Sequence, residues 1–493
     1  MHAREHHGGL AVDAGDRSAI DTVLDPDSHM RMPHSVDTRR FIVVANRLPV
    51  TRSRKKDSQA WTVSPGGLVS AMTPLLTEGE GSWVGWHGAP GDAPEAFEHA
   101  GISLRPVGLS KTEVDGYYKG FSNRTLWPLY HDSLRTPQFR RRWWWPYVDV
   151  NRRFAEAVAA EARPGDIVWV HDYHLQLVPS MVRRLVPGVR IGFFLHIPFP
   201  AVELFSRMPW RREVVEGLLG ADLVAFQTPL GAQNFIRAAR RFADVAGRGN
   251  ALAYDGRTVQ VQAIPISIDT QRFESIARRP ETQAGAAQLR ERIGNRRILL
   301  GVDRLDYTKG IDVRLRSLEE ILRRGRHTVD DMVYIQVAVP SRESVDDYID
   351  TRSEVEEMVG RINGEYANAG QSVVHYLRRS LPQDELVAYY LAADVMLVTP
   401  LRDGMNLVAK EYLASRVDDN GTLVLSEFAG AANELGRAIM VNPFDIDAMA
   451  SAIEDGLETD PTHARRAMRA MRRVVRENDV YRWADRFVGA LGA

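Results

Sequence analysis

The stretch RRILLGVDRLDYTKG, residues 296–310, joins a short apolar run to a polar turn that carries two cations. The opening RRILLGVD is typical of a buried β-strand, and IDVRLRSLEEILRR (311–324), which follows the turn, has the apolar spacing of a helix. Arg304 and Lys309 therefore stand between a strand and a helix. A strand that feeds a helix through a charged turn is typical of an α/β fold with a ligand at the strand end.

Apolar runs of this kind recur along the chain and alternate with helical patterns such as 151–162 and 175–186. The alternation predicts parallel sheets that are covered on both faces. The first set of predicted strands is FIVVAN (41–46), DIVWVHD (166–172), RIGFFLHIP (190–198), DLVAFQT (222–228) and VQVQAI (259–264). The second set is RRILLGVD (296–303), MVYIQVAV (332–339), SVVHYL (372–377), DVMLVTP (394–400), GTLVLSE (421–427) and AIMVNP (438–443). The predicted fold class is α/β, with two doubly wound domains in tandem.

The change in composition along the chain predicts four segments. Residues 1–37 are polar and aperiodic, and we expect a disordered or loosely packed N-terminal arm there. Residues 38–266 and 267–475 are predicted as the two α/β domains, joined near 265–273. The remaining residues, 476–493, are predicted as a C-terminal helix that could cross back to the N-terminal domain.

Composition excludes several classes of protein. The chain has 493 residues, of which 44% are hydrophobic, enough for large buried cores. Its formal net charge is −1, from 63 basic and 64 acidic residues. The chain as a whole lacks the excess of positive charge that is typical of nucleic-acid-binding proteins, so no nucleic-acid partner is expected. The basic clusters at 140–143 and 465–476 are interpreted as solvated helix faces. The absence of cysteine excludes disulfides and thiolate metal sites.

The sequence has no targeting or membrane signal that we can identify. Its first residues, MHAREHHGGLAVDAGD, lack the apolar segment of a secretory signal. Apolar runs such as IGFFL are far shorter than the roughly 18–20 residues that a membrane span needs. We therefore expect a cytoplasmic protein without a membrane partner.

Two short acidic motifs could hold a metal but have simpler interpretations. HDYH (171–174) offers two histidines and an aspartate, yet no second segment supplies a ligand, so substrate hydrogen bonding is favoured. FDID (444–447) matches a DxD pattern and is interpreted as a helix cap and a turn. No metal ligand is predicted, and the phosphate-loop pattern GxxxxGK[ST] is missing from the chain.

Polar residues follow the predicted strands of the first half. Asn46 and Arg47 come directly after the first strand, and Gly66 and Gly67 precede a helical run. Adjacent glycines let a backbone approach a phosphate closely, although a plain tight turn would use them equally well.

Two further strand ends deliver histidine and aspartate. His171 and Asp172 follow DIVWV, and His196 follows IGFFL. A histidine after a buried strand is often a core residue. Because parallel strands bring their carboxyl ends to one edge of a sheet, this combination favours a site.

In the second half, three cations follow predicted strands. Arg342 lies past MVYIQVAV and joins Arg304 and Lys309 at the same edge of the predicted sheet. Three cations at strand ends indicate anionic ligand groups.

The segment TPLRDGMNLVAKEYLAS (399–415) combines a strand end with a helix start. We predict that Asp403 and Gly404 open a helix, whose N-terminal amides favour a diphosphate. Glu411 lies seven residues after Gly404, about two turns or ~10 Å along the helix. That spacing suits a carboxylate that accepts hydrogen bonds from ribose hydroxyls.

Eight motifs occur in the order found in trehalose-6-phosphate synthases, and the chain resembles that family over roughly 40–480. They are NRLPV, SPGGLVSA, FSNRTLWPLYH, WVHDYHLQL, FFLHIPFP, GVDRLDYTKG, VPSRESV and TPLRDGMNLVAKEY. The resemblance implies a GT-B glycosyltransferase, with two Rossmann-like domains facing across a catalytic cleft. It implies transfer of glucose from UDP-glucose, or from ADP- or GDP-glucose, to glucose 6-phosphate. The product would be α,α-trehalose 6-phosphate, formed with retention of the donor's anomeric configuration.

The resemblance also implies roles for individual residues. The implied donor site is Gly66, Gly67, Arg304, Lys309, Leu381, Asp403, Gly404, Met405, Asn406, Leu407, Val408 and Glu411. The implied acceptor site is Arg47, Trp86, Tyr118, Trp127, Asp172, His196 and Arg342, and the implied catalytic set is Asp172, His196, Arg304 and Lys309. At Leu381 this sequence departs from the family, which often has an aromatic residue there, and Trp86 is chosen over the neighbouring Trp83.

This resemblance leaves the chemistry and some alternatives open. Arg304, Lys309 and helix amides can stabilise a departing diphosphate, so no cofactor or divalent metal is obligatory. Retention normally indicates a carboxylate nucleophile, but no unmistakable one is present, so front-face attack is the working hypothesis. Three alternative hypotheses remain: a related transferase that uses a different phosphorylated acceptor, a non-catalytic sugar-phosphate sensor and a pyridoxal-phosphate-dependent phosphorylase. A homo-oligomer, dimer or tetramer, is expected.

Overall fold

The computed structural model describes residues 40–52, 61–63, 67–78, 81–341 and 346–492, which contain two large β-sheets flanked by helices. The predicted arm at 1–37, Gly66 and Arg342 lie outside the described residues. Residues Thr38–Ala493 form one compact unit, so the predicted boundaries at 266 and 475 remain predictions.

The first sheet has nine strands in the described residues, with seven parallel strands in the middle. Its strands are β1 (Phe41–Arg47), β4 (Ser82–Trp86), β5 (Phe97–His99), β6 (Ile102–Val107), β7 (Ile167–His171), β8 (Arg190–Leu195), β9 (Leu223–Phe226), β10 (Ala251–Tyr254) and β11 (Arg257–Ala263). The order is β10-β11-β9-β8-β7-β1-β4-β6-β5, and β10 and β5 are antiparallel edge strands. A separate hairpin pairs β2 (Val50–Arg52) with β3 (Trp61–Val63).

The second sheet is wholly parallel. Its strands are β12 (Arg297–Arg304), β13 (Met332–Val339), β14 (Val374–Leu377), β15 (Val395–Val398), β16 (Thr422–Ser426) and β17 (Ile439–Val441). Their order is β14-β13-β12-β15-β16-β17. This is the strand order of dinucleotide-binding Rossmann folds. The second and third strands, β13 and β14, lie on one side of β12, and the remaining three lie on its other side.

Helices cover both sheets. Those up to the end of β11 are α1 (Gly67–Glu78), α2 (Lys111–Glu113), α3 (Trp127–Tyr130), α4 (Arg141–Ala159), α5 (Val178–Leu185), α6 (Val202–Phe205), α7 (Arg211–Leu218) and α8 (Pro229–Phe242), with a π-helical segment at Val114–Leu126. The later ones are α9 (Thr270–Arg278), α10 (Pro280–Ile293), α11 (Ile311–Arg324), α12 (Asp346–Tyr366), α13 (Gln383–Ala392), α14 (Leu407–Ser415), α15 (Ile446–Glu458), α16 (Pro461–Glu477) and α17 (Val480–Leu491). Single 3₁₀ turns span Tyr173–Leu175, Tyr307–Lys309 and Gly430–Asn433.

The predicted α/β fold class is confirmed, and every predicted strand overlaps an observed one. The helical pattern at 151–162 is confirmed as the second half of α4, which begins earlier than the pattern indicated, at Arg141, and ends at Ala159. Pro146 lies inside that helix and removes one backbone hydrogen bond. Burial of Trp143, Trp144 and Tyr147 on the same turns offsets that loss.

The C-terminal helix α17 packs against the first sheet, although the preceding helix α16 belongs to the second. The ring of Phe487 lies 3.9 Å from that of Trp169 on β7, and the ring of Trp483 lies 5.0 Å from that of Phe194 on β8. The chain therefore passes between the two sheets twice. No helix in the described part of the chain is long and apolar enough to span a bilayer.

Candidate active site

Each sheet has one point where the chain reverses its direction of winding, and the predicted site residues gather at these two switch points. In the first sheet, it lies between β1 and β7, and in the second between β12 and β15. Ligands of open α/β sheets bind outside the strand ends at such points. At the first switch point, Arg47 is the last residue of β1 and Asp172 directly follows β7. At the second, Arg304 is the last residue of β12 and Asp403 lies in the loop after β15.

A cavity of about 580 Å³ opens at the first switch point. It is lined by four residues of the predicted acceptor site, by Leu68 and Val69 of α1, and by neighbours of these residues. The lining residues are Ala45, Asn46, Arg47, Leu48, Pro49, Val50, Leu68, Val69, Trp83, Trp86, His87, His171, Asp172, His174 and His196. A cavity of this size accommodates a sugar phosphate.

Arg47 reaches the cavity over two aromatic rings. Its guanidinium carbon lies 4.0 Å from the ring centre of Trp86 and 5.6 Å from that of Tyr118. The indole N–H of Trp83 donates instead to the Arg47 carbonyl, at 3.0 Å. Trp86 is thus the tryptophan whose ring holds the Arg47 guanidinium. Cation–π contact keeps the guanidinium in place while its N–H groups stay available to an anion.

Asp172 adopts a backbone conformation that few residues other than glycine tolerate. Its φ is 74° and its ψ is 168°. Strain of this kind costs on the order of 1–3 kcal/mol and clusters at ligand sites. The Asp172 amide donates to the Phe194 carbonyl at 2.8 Å, which ties the strained residue to the end of β8. We interpret the strain as a sign that the position of this carboxylate matters for function.

Two of the four histidines that line the cavity, buried His171 and half-buried His196, lie close together. The Nδ1 atom of His171 lies 3.2 Å from the Nε2 atom of His196. Burial lowers the pKa of His196 to about 4 and that of His171 well below its usual value. Both rings are therefore neutral at pH 7 and can exchange hydrogen bonds with a sugar, but they supply no positive charge.

At the second switch point, the main cation is already paired. The Lys309 ammonium lies 2.5 Å from the Asp403 carboxylate, which also accepts a hydrogen bond from the Asn406 side chain at 3.1 Å. Burial alone would raise the pKa of Asp403, but Lys309, His131 and Arg304 together hold it below its usual value. Lys309 and Asp403, predicted to contact different parts of one donor, contact each other in this structure.

Arg304 and Trp127 lie against each other across the two sheets. The Arg304 guanidinium carbon is 5.4 Å from the Trp127 ring centre, and Arg304 is exposed. Trp127 is buried and is outside the lining of the first cavity. A residue predicted for the acceptor site thus lies beside a residue predicted for the donor site.

The helix after Asp403 begins later than predicted. Its first residue is Leu407 rather than Gly404, because Asn406 takes a left-handed conformation with φ 75° and caps the helix. The Asn406 side chain accepts a hydrogen bond from the Ala409 amide at 3.3 Å. Glu411 therefore lies about one turn from the helix start, on the order of 6 Å, instead of the predicted two turns.

Gly404 marks the place where the two switch points meet. A Cβ atom on Gly404 would lie 2.1 Å from the His196 carbonyl oxygen, so only glycine allows this approach. The next residue, Met405, is buried, and its carbonyl accepts from the Ala431 amide at 2.8 Å. Leu407 and Val408 are half-buried against the core and place the first-turn amides of α14.

Glu411 and Leu381 complete the described donor residues. The Glu411 carboxylate accepts from the Tyr390 hydroxyl at 3.0 Å, and burial raises the pKa of Glu411 to about 7. Leu381 lies between β14 and α13 and packs half-buried against the core. Gly67 is the first residue of α1.

The acidic residues outside these sets have structural contacts. Asp306 accepts from the Thr308 amide at 3.0 Å and from the Tyr348 hydroxyl at 3.1 Å, which fixes the loop before Lys309. Asp445 in FDID caps α15 by accepting from the Ala448 amide at 2.9 Å, so its interpretation as a helix cap is confirmed. In the described ranges no group of three or more His, Asp or Glu side chains could hold a metal.

The sequence analysis did not identify three residues that pack behind or line the cavity at the first switch point: Trp483, Leu68 and Val69. Trp483 of α17 lies behind the histidines, with its ring centre 6.5 Å from those of both His171 and His196. Nothing near Trp483 in the sequence indicates this position. Leu68 and Val69 could have been found, since they directly follow the predicted Gly66 and Gly67.

Comparison with known proteins gives a consistent result. The model of glycosyltransferase family 20 matches residues 39–493. A trehalose-6-phosphate synthase of Mycolicibacterium smegmatis is 54% identical over 467 residues, which cover 92% of this chain and 93% of the relative. A UDP-forming α,α-trehalose-phosphate synthase of Burkholderia xenovorans, in complex with glucose 6-phosphate, has a TM-score of 0.85 at 35% identity and covers 92% and 100% of the two chains. An E. coli structure bound with UDP-2-fluoro glucose has a TM-score of 0.85 at 35% identity, with coverage of 92% and 98%. The predicted GT-B arrangement agrees with these neighbours.

Proposed function

This chain belongs to glycosyltransferase family 20, and on that premise we propose that it transfers glucose from UDP-glucose to glucose 6-phosphate. The products are α,α-trehalose 6-phosphate and UDP, with the anomeric configuration retained. The observation that carries the proposal is the contact between Gly404 and the His196 carbonyl. It brings the end of the second sheet that has Lys309 and Asp403 against the cavity that has Arg47 and Asp172.

On the donor side, the proposal gives each charge a task. Lys309 and Arg304 stabilise the negative charge that develops on the departing diphosphate, together with the first-turn amides of α14. When Lys309 turns to the diphosphate, Asp403 is released to bind glucose hydroxyls. Glu411 accepts hydrogen bonds from the ribose. The charge is balanced without a divalent metal or another cofactor in this proposal.

On the acceptor side, Arg47 binds the phosphate of glucose 6-phosphate, with Arg342 as its predicted partner. Asp172 and His196 hold the sugar. The acceptor's C1 hydroxyl oxygen attacks the donor C1 on the face that UDP leaves, and the leaving phosphate oxygen takes the hydroxyl proton. A glucosyl adduct on Asp172, trapped with a slow donor and detected by mass spectrometry, would show a double displacement instead.

Nucleotide release tests the proposal directly. UDP-glucose and ADP-glucose are each incubated with glucose 6-phosphate or free glucose, and UDP or ADP is measured. We expect release that depends on glucose 6-phosphate, and the ratio between donors gives the preferred base. No release with any pair would refute the function, and release only with another acceptor phosphate would identify a related transferase.

Two further proposals concern the setting of the enzyme. We propose a cytoplasmic location, where both phosphorylated substrates would be found, and a homo-oligomer, either a dimer or a tetramer. Sedimentation velocity of the purified chain distinguishes these states from a monomer.

A further inference from the structure

A fully buried arginine lies beneath the second switch point. Arg314 of α11 is 1% exposed, and its guanidinium makes three hydrogen bonds to three different segments. It donates to the Leu397 carbonyl on β15 at 3.0 Å, to the Asp303 carboxylate on β12 at 2.5 Å and to the Lys309 carbonyl at 3.1 Å. One side chain thus links the two strands at the switch point to the turn that carries Lys309.

The surroundings are built to receive this group. A Cβ atom on Gly301 would lie 2.6 Å from the Arg314 Nη1 atom, the Gln336 Oε1 atom and the Tyr334 hydroxyl oxygen, so glycine on β12 leaves the space that the guanidinium and these two side chains share. A buried ion pair is weak evidence for stability, because desolvation of both charges offsets their attraction. A geometric role explains the arrangement better than a contribution to stability.

We propose that Arg314 is a positioning residue for the donor half of the reaction, one that holds the Lys309 backbone at a fixed distance from the ends of β12 and β15. This inference rests on the proposed function, in which Lys309 binds the diphosphate. Misplacement of a catalytic group by about 1 Å can cost roughly a hundredfold in rate. Arg314 touches no substrate and acts through Lys309.

The chain contains a matched control. Arg183 of α5 makes the same set of contacts, to one aspartate and two carbonyls: Asp222 at 2.6 Å, Val189 at 2.8 Å and Gly220 at 3.2 Å. Its partners precede β8 and β9 and so lie at the amino ends of these strands, whereas the first switch point lies at the carboxyl ends. Arg183 therefore has the hydrogen-bonding pattern of Arg314 without a ligand site above it, although its side chain is 19% exposed and that of Arg314 is 0% exposed.

The experiment compares Arg314→Lys with Arg183→Lys in the full chain. For each, kcat and the KM of both substrates are measured on protein whose folded fraction is known from thermal unfolding, and UDP affinity is measured by calorimetry. We expect both to lower Tm, but only Arg314→Lys to lower kcat by about tenfold to a hundredfold and weaken UDP binding, with the KM of glucose 6-phosphate within about twofold of wild type. Equal kinetic effects of the two substitutions, or unchanged kinetics of Arg314→Lys, would overturn the inference.

Gly301→Ala provides an independent test if Arg314→Lys does not fold. Its methyl group crowds the guanidinium, together with the Gln336 side chain and the Tyr334 hydroxyl, without removing the charge. We expect the same donor-side losses at a smaller size, about threefold or more. Wild-type kinetics of a folded Gly301→Ala would count against the proposal. Failure of the proposed function is distinguishable, because the wild-type chain itself would then release no UDP.

Discussion

The two switch points differ in how far each is prepared for its ligand. The first is a cavity of about 580 Å³ in which Arg47 is held over aromatic rings and faces open space. The second is occupied by its own charges, since Lys309 pairs with Asp403 at 2.5 Å. In the proposed function, the acceptor side is preformed, whereas the donor phosphate competes with Asp403 for Lys309. The affinity for the donor therefore depends on how much more strongly Lys309 interacts with the diphosphate than with Asp403. The affinity for the acceptor depends more directly on the contacts that the acceptor makes.

Removal of Lys309 should have the largest effect. Lys309→Met keeps much of the side-chain volume but removes the charge that meets the leaving group, so we expect kcat to fall by about 10²- to 10³-fold. The measurement is UDP release at saturating substrates. A fall of less than about tenfold would show that the diphosphate is stabilised elsewhere, with Arg304→Met as the next variant to measure.

Arg47→Met should affect mainly the acceptor. Loss of a hydrogen-bonded charge at the phosphate is expected to raise the KM of glucose 6-phosphate by about tenfold to a hundredfold. The KM of UDP-glucose should stay near that of wild type, and the preference for glucose 6-phosphate over free glucose should narrow without disappearing, because Arg342 is still present. If the KM values of donor and acceptor rose together, Arg47 would belong to the region shared by both substrates.

The donor side should also respond to pH through Glu411. Burial favours the neutral acid and raises the pKa of Glu411 to about 7, so the carboxylate forms as the pH rises through that value. The KM of UDP-glucose should therefore fall from pH 6 to pH 8 by about tenfold, in proportion to the ionised fraction. Glu411→Gln should have a flat profile over this range. The acceptor side supplies the contrast, since His171 and His196 remain neutral throughout it.

The smallest expected effect is on stability, at Asp172. Glycine adopts the backbone conformation with φ 74° without strain, and alanine does not. Asp172→Gly should therefore be more stable than Asp172→Ala by about 1–3 kcal/mol, while both lose acceptor binding. Thermal unfolding of the two variants gives the difference. Equal Tm values would mean that the backbone at this position relaxes when the carboxylate is removed.

Local patterns in the sequence predicted eleven of the observed strands and the polar residues at their ends, but they missed β2 to β6 and β10. A buried parallel strand is a continuous apolar run, and its end is marked by the first polar residue, as at Asn46 and His171. The start of α14 was misplaced because it depends on the left-handed conformation of Asn406, which the side-chain pattern does not reveal. Sequence alone could not predict that Lys309 and Asp403 meet, since their contact depends on the packing of two strands.

Residues distant in sequence account for most of what was missed. The place of Trp127 against Arg304 depends on how the two sheets face each other, and that of Trp483 depends on where the last helix packs. The roles of the individual site residues remain predictions, including those of Gly66 and Arg342, until the variants are measured.

The path of α17 has a consequence for how the protein is made. Trp483 and Phe487 cover Trp169 and Phe194 of the first sheet, yet they belong to the last helix of the chain. At about 5–20 residues per second, the ribosome takes roughly 10–40 s to synthesise everything between β11 and α17. During that time the part of this face that α17 covers stays exposed. We expect the emerging chain to need a chaperone at this stage, and a chain that ends before Val480 to aggregate.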